Sequence, residues 1–228
     1  GIIEYDVSTG TTPTSSQLQT TFAGGNSHAG NYFQVDVAAT NGITVTSMTG
    51  NFGDVNGFLG GTVEVWARDG VIGSVPGATG WTQVATAAIA VPAGTTWIAP
   101  SQQSFATNFD LAAGSHTLFF SYSENLAYTN GTGVGTVAAQ DTNLTIYEGY
   151  GTGDLQPNGA SGYANAGRVW NGTIEYTTGG GTTPTVSWTT SSQTSVAESG
   201  TLTVTAELSA TSNSDVTFDV GVGANSTA

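Results

Sequence analysis

Apolar and polar residues alternate with period two along most of this chain. The pattern is clearest at residues 32–37 (YFQVDV), 43–48 (ITVTSM), 62–67 (TVEVWA), 116–122, 143–147 and 169–176. Such runs, rich in β-branched and aromatic residues, predict strands with one face buried. Helical spacing is missing, because Gly, Asn and Thr interrupt every window long enough to carry it. Gly24-Gly25-Asn26, Asn41-Gly42, Gly60-Gly61, Asp69-Gly70, Pro76-Gly77, Pro92-Ala93-Gly94 and Asn130-Gly131 mark the intervening turns. Many short strands separated by frequent turn signals predict an all-β chain built on an antiparallel, jelly-roll-like β-sandwich. Residues 149–167 (GYGTGDLQPNGASGYANAG) lack alternation and read as a long loop, a kind of segment that is often functional.

A second pattern sets the domain expectations. GIIEYDVSTGTTPT at residues 1–14 and GTIEYTTGGGTTPT at residues 172–185 agree without gaps at nine of fourteen positions. The later copy reads as the last strand of a module running into a Gly/Thr hinge. The expected organisation is therefore a closing strand and linker of a preceding module at 1–14, a β-sandwich module at 15–176, a hinge at 177–185 and a second, partial all-β domain at 186–228. The unmatched first copy leaves Gly1–Tyr5 either a severed, flexible remnant or a strand that adds to another sheet edge, that of a neighbouring module or of a copy of the chain.

Composition narrows the function classes. The chain has 228 residues, two Arg and no Lys against sixteen Asp plus Glu, and a formal net charge of −14. Such a surface repels phosphate backbones and anionic lipid, which argues against nucleic-acid partners and membrane insertion. It suits divalent cations instead, above all Ca²⁺, which takes hard oxygen ligands. Five Trp, eight Tyr and nine Phe supply a core, so the chain is not an acidic disordered tail. Zero Cys fits a large repetitive bacterial surface protein as well as a cytoplasmic one, and the near absence of Lys and Arg, which removes most trypsin-type cleavage sites, favours an extracellular or cell-surface setting.

Two stretches carry family resemblances. Val186-Ser187-Trp188, the turn Ser-Val-Ala-Glu-Ser-Gly at 195–200, the alternating run 201–208 and the strand 215–220 together resemble the first half of a Calx-β domain, an immunoglobulin-like sandwich. The resemblance implies a Ca²⁺ ligand at Glu198. Separately, residues 20–26 (TTFAGGN), 30–33 (GNYF), 144–149 (LTIYEG) and 168–172 (RVWNG) resemble a module that recurs in large secreted bacterial surface proteins. That likeness implies a location rather than a chemistry.

Candidate sites follow from residue type and spacing. Asp54 and Asn56, with Asn51 before Gly57, offer spaced oxygens for a cation, but the run lacks the acidic cluster and distal bidentate Glu of an EF-hand, which favours a plain polar turn. Asp141 and Asp154, with Glu148 between them, form a second acidic set. For sugar binding, Trp81, Tyr150 and Tyr163 are the aromatics least explained by a strand core, and sandwich-end packing is the alternative. Ser27-His28 has no nucleophile elbow around it, and His28 and His116 are too far apart in sequence to suggest zinc. Arg68 and Arg168 are expected beside carboxylates, Arg168 fixing strand register as a structural residue. The sequence therefore points to a non-enzymatic adhesin stalk, filament or matrix segment with tandem-repeat modules and surface glycans among its partners. A carbohydrate-binding module and a secreted hydrolase fragment are the alternatives.

Overall fold

A computed structural model describes residues 3–4, 14–54, 57–73, 79–157, 165–178, 186–188, 206–208 and 221–222. The chain divides into two units, Pro13–Gly181 and a second drawn from both Gly1–Thr12 and Thr182–Ala228. In order along the chain the strands are β1 (Ile3–Glu4), β2 (Thr14–Gln19), β3 (Asn26–Val37), β4 (Ile43–Gly53), β5 (Gly60–Asp69), β6 (Thr82–Ala90) and β7 (Ser101–Leu111). They continue as β8 (Gly114–Asn130), β9 (Val137–Gln140), β10 (Leu144–Thr152), β11 (Asn165–Val169), β12 (Gly172–Thr178), β13 (Val186–Trp188), β14 (Ala206–Leu208) and β15 (Gly221–Val222). The described residues contain no helix, and every pairing among them is antiparallel.

The larger unit is a sandwich. One layer runs β10-β3-β8-β5-β6, with β9 and β11 on β10, and the other runs β7-β4-β12-β2. The long strand β8 joins the layers at a corner, where Leu126 and Asn125 pair with Phe52 and Gly53 of β4. Period-two alternation decides which side chains enter the space between layers. Phe33, Val35 and Val37 of β3, Val63 and Val65 of β5, and Leu118, Phe120 and Tyr122 of β8 meet Val45, Met48 and Phe52 of β4, Phe105 and Phe109 of β7, and Ile174 and Tyr176 of β12. The hub of this core is Trp170, between β11 and β12. Its ring stacks on Phe33 at 4.7 Å and 9° and tilts against Phe120 at 5.4 Å.

The corner that holds Trp170 is locked by small polar side chains. Thr20 Oγ1 donates to the Trp170 carbonyl at 2.5 Å, and the Thr20 N–H donates to the Gly172 carbonyl at 3.0 Å. Asn171, also buried, accepts from the Gly24 N–H at 2.9 Å and donates to Thr129 and to the Val169 carbonyl. Thr20 and Asn171 are thus satisfied on burial, whereas the buried Trp170 Nε1 has no hydrogen-bond partner. The Trp-Asn-Gly triplet at 170–172 thus turns the chain from one layer to the other.

The repeated motif has a physical meaning. Gly172 of the later copy lies in β12, an interior strand paired with β4 on one side and β2 on the other, and its missing side chain makes room for the Trp170 ring. Ile3–Glu4 of the earlier copy pair instead with Gly221–Val222, so β1 meets β15 within the same chain. In that second unit β13 pairs with β14 through Val186–Leu208 and Trp188–Ala206. The rest of the Calx-β-like stretch, including the turn at 195–200, lies outside the described residues.

Several elements depart from the sequence expectation. Gly60-Gly61 opens β5 rather than turning, with Gly61 so close to the Tyr122 ring and the Ser123 hydroxyl that any side chain would collide. Residues 149–167 are not one loop: β10 continues to Thr152 and β11 begins at Asn165. Strands β6 and β7, rich in Ala, Thr, Ser and Gln, escaped the alternation test, and β2 begins at Thr14.

The termini of the sandwich unit lie side by side. Thr14 of β2 is the register partner of Thr178 of β12, which is also opposite Ile43 at the start of β4. From there β4 runs ten residue steps to Gly53, about 33 Å at roughly 3.3 Å per residue. The connections β4–β5 and β6–β7 therefore form a tip at the far end, remote from where the chain enters and leaves the unit.

Candidate functional site

Two of the three aromatic candidates come together, but as packing. Trp81 and Tyr150 belong to a small apolar cluster on the outer face of the β3/β8/β5 layer, with Tyr32, Ile72 and Phe119. Tyr32 is tilted against Phe119 at 4.3 Å and against Trp81 at 5.7 Å, and Trp81 also meets Phe119 edge-on. The Arg68 guanidinium lies 5.0 Å from the centroid of the Trp81 ring, a cation–π contact. Tyr150 is buried, and its hydroxyl donates to the Gly73 carbonyl at 3.2 Å. Trp81 is half-buried, with Arg68 over its ring, so packing contacts engage both aromatics. Burial pushes the Tyr32 hydroxyl up to about 12, with Asp154 adding to the shift and Arg68 opposing it. Tyr163 lies outside the described residues.

The metal candidates are dispersed, and their carboxylates are occupied by the protein's own donors. Asp54 is buried; its carboxylate accepts from the N–H groups of Gly57 (2.8 Å), Phe58 (3.4 Å) and Leu59 (3.1 Å). Asp141 accepts from the Asn143 and Leu144 N–H groups, both at 2.8 Å, and from the Tyr176 hydroxyl at 2.6 Å. Asp154 accepts from Thr152 Oγ1 at 3.0 Å, and buried Glu148 accepts from the Thr132 and Gly133 N–H groups at 2.6 and 2.8 Å. Among the described residues no three or more His, Asp or Glu side chains gather where one ion could bind them all. Asn56 and Glu198 lie outside the described residues.

The histidines and arginines are also engaged. His28 stacks on Tyr128 at 6.0 Å, and its Nε2 accepts from Asn165 Nδ2 at 3.1 Å; burial first, and the Arg168 charge second, lower its pKa. His116 donates from Nε2 to the Ala112 carbonyl at 2.8 Å and sits with Nδ1 2.9 Å from the Asp69 carboxylate. Arg168 does not form the expected carboxylate pair among the described residues. Its guanidinium instead lies 5.9 Å from the Tyr128 centroid and donates to the carbonyls of Ala166 and Gly167. An aromatic face and two carbonyls take the place of an acid because β11 aligns Arg168 opposite Asn130, not opposite a carboxylate.

What the sequence reading missed is the far tip. Of the exposed large apolar side chains among the described residues, Phe58 (68%), Leu59 (45%), Trp97 (39%) and Ile98 (74%) sit on the β4–β5 and β6–β7 connections; Val71, Val137 and Leu155 are scattered elsewhere. The two connections touch. The Val91 N–H donates to the Leu59 carbonyl at 3.0 Å, and a Cβ added to Gly53 would lie 2.9 Å from Trp97 Cα. Trp97 and Ile98 form the crest of a turn closed by the Thr96 N–H to the Ala99 carbonyl and by the Ala99 N–H to Thr96 Oγ1. Asp54 fixes the neighbouring loop, where Leu59 has φ 56°, the sole positive φ of a non-glycine residue among those described. A branched side chain holds that backbone only when its surroundings impose it. The available sequence signal was a pair of large apolar residues caught between turn markers, Asn56-Gly57 on one side and Pro92-Ala93-Gly94 on the other.

No family model and no curated protein matches this chain. Among solved structures it is similar, at 14% identity and TM-score 0.41, to the cysteine protease and lectin-like domains of a surface-layer-associated protein of Clostridium difficile, over 72% of this chain and 36% of that one. The clostridial protease after propeptide cleavage aligns at 14% identity and TM-score 0.42, over 72% of this chain and 40% of that one. An infectious bursal disease virus structure aligns at 14% identity and TM-score 0.22, over 80% of this chain and 33% of the other. The chain spans well under half the length of each chain it is similar to.

Proposed function

We propose that this chain is a non-enzymatic adhesive segment of a secreted or surface-attached bacterial protein, and that the sandwich unit acts through its far tip. The observation that carries this reading is the opposition of the two ends. Strands β2 and β12 bring the chain in and out together, while four exposed apolar side chains stand at the other end on a braced turn and loop. Apolar surface exposed in one place rather than scattered marks a contact site. The strongly acidic composition with almost no Lys or Arg suits an extracellular setting and supports the same reading.

Beads coated with the full chain provide the test. They should adhere to intact bacterial cells or their extracellular matrix, and Phe58→Ser with Trp97→Ser should reduce adhesion several-fold while the melting temperature stays unchanged. Equal adhesion by the doubly substituted chain would refute a working tip.

A further inference from the structure

We propose that the far tip, Phe58 and Leu59 beside Trp97 and Ile98, is a platform for an uncharged saccharide chain. The inference rests on the adhesive reading above and names the class of ligand the tip takes.

Charge makes the first selection. The tip segments 57–61 (GFLGG) and 91–100 (VPAGTTWIAP) carry no ionisable side chain, in a protein of net charge −14. Asp54 is turned inward onto backbone donors, and Asp54 and Glu124 of β8 each raise the Tyr122 hydroxyl after burial itself. In an acidic protein, tip segments without a cation of their own disfavour uronic, sialic or sulfated sugars and anionic lipid headgroups. An uncharged partner meets no such penalty.

Size makes the second. Four side chains expose apolar surface of a few hundred Å² at most, whereas a stable protein interface buries about 800 Å² on each partner. A few hexose rings cover a surface of the smaller kind. Chemistry makes the third. The apolar C–H face of a pyranose packs on an indole or phenyl ring, and its hydroxyls need uncharged hydrogen-bonding groups around that ring. Thr96 and Gln102 are both exposed beside the Trp97 turn, and the backbone of Gly57 and Gly94 stands open on either flank.

Rigidity makes the fourth. A platform that has to order itself on binding loses affinity to side-chain and loop entropy. Here the Asp54 carboxylate, the Val91–Leu59 hydrogen bond, the Thr96–Ala99 turn and the packing of Trp97 on Gly53 hold the two segments before any ligand arrives. The strained Leu59 backbone is kept for the display of a side chain that contributes little to the core.

The test is binding of the full chain to a panel of neutral hexose and N-acetylhexosamine polymers, with oligogalacturonate and phosphatidylcholine vesicles as separate arms. The expected result is retention by at least one neutral polymer, weakened tenfold or more by Trp97→Ala and by Phe58→Ala, and unaffected by Trp81→Ala. Asp54→Ala should weaken it too, and Trp97→Phe should restore part of what Trp97→Ala loses. Far-UV circular dichroism and melting of each variant separate loss of the platform from loss of the fold. Four results would each overturn the proposal: no neutral polymer retained, retention indifferent to Trp97→Ala, preference for oligogalacturonate, or binding to vesicles alone. If beads still adhere in a tip-dependent way while no neutral polymer binds, the ligand class is wrong and the adhesive reading survives. If tip-dependent adhesion is absent, both fall.

Discussion

Gly172→Ala puts the packing around the repeated motif to a quantitative test. An added Cβ would overlap the six-membered ring of Trp170 and lie 2.5 Å from the Thr49 carbonyl oxygen. Neither neighbour yields cheaply. The indole is held almost parallel to Phe33 at 4.7 Å and braced by Phe120, and the Gly172 backbone is tied in both directions to Thr20, its N–H donating to Thr20 Oγ1 at 3.1 Å and its carbonyl accepting from the Thr20 N–H. Overpacking of a filled core costs about 1–3 kcal/mol, and a clash that includes backbone belongs at the upper end. At roughly 2–4 °C per kcal/mol for a unit of this size, about 3 kcal/mol lowers the melting temperature by about 6–12 °C. Gly133→Ala is the control, since its nearest new neighbour would be Thr136 Oγ1 at 3.8 Å; it should melt within about 1–2 °C of the parent. The assay is thermal and urea unfolding followed by near-ultraviolet circular dichroism. A Gly172→Ala chain that melts with its Gly133→Ala counterpart would refute the account of this corner.

Further predictions concern ionisation and the two-sided role of Arg168. The hydroxyls of Tyr32, Tyr122 and Tyr176 are each pushed up to about 12, mainly by burial, with the hydrogen bond to Asp141 adding to Tyr176. Because each folded pKa lies above the ordinary value of about 10, this stabilisation is complete below pH 10 and is lost as pH rises toward 12. Ultraviolet titration should show these three ionising late and together with unfolding; eight Tyr titrating near pH 10 in the folded chain would contradict it. His28 has the opposite sense: its depressed pKa stabilises the fold above pH 6.5, and this contribution is lost as pH falls through the folded value. Its NMR resonance should titrate below that of an unfolded His. Arg168→Ala removes the contact over Tyr128 and two carbonyl hydrogen bonds and should cost about 1–2 kcal/mol in urea unfolding, whereas Arg168→Lys should recover only part, since an ammonium lacks the planar fork.

The sequence made some layers of this structure plain and hid others for physical reasons. Strands β3, β4, β5, β8, β10 and β12 announce themselves because alternate apolar side chains along them enter the core, most clearly Phe33, Val35 and Val37, even where the other face is buried too, as along β8. Strand β6 buries only Ile89 fully, so its Ala/Thr alternation carries almost no hydropathy contrast. In β7 the inward positions keep period two, but Ser101, Gln103 and Thr107 fill three of the six, so hydropathy shows only Phe105, Phe109 and Leu111. Trp81 and Tyr150 were recognisable as aromatics outside the main core, but their convergence on Tyr32 depends on a bulge between Tyr147 and Tyr150. Asp54 and Asp141 looked like cation ligands, since an acid that gathers backbone N–H groups has the same short-range sequence as one that gathers an ion. The tip was hidden most completely. Phe58, Leu59, Trp97 and Ile98 are apolar, and their outward placement depends on how Asp54 and Gly53 hold the two loops.

Hydrogen exchange of the full chain, with and without the neutral polymer it retains best, bears most directly on the claim that the far tip is the working surface. Bound polymer should slow exchange at residues 57–61 and 91–99 and leave the Trp81 cluster and the β2–β12 end unchanged. Protection centred on Trp81 and Tyr150, or spread over the β2–β12 end, would contradict it.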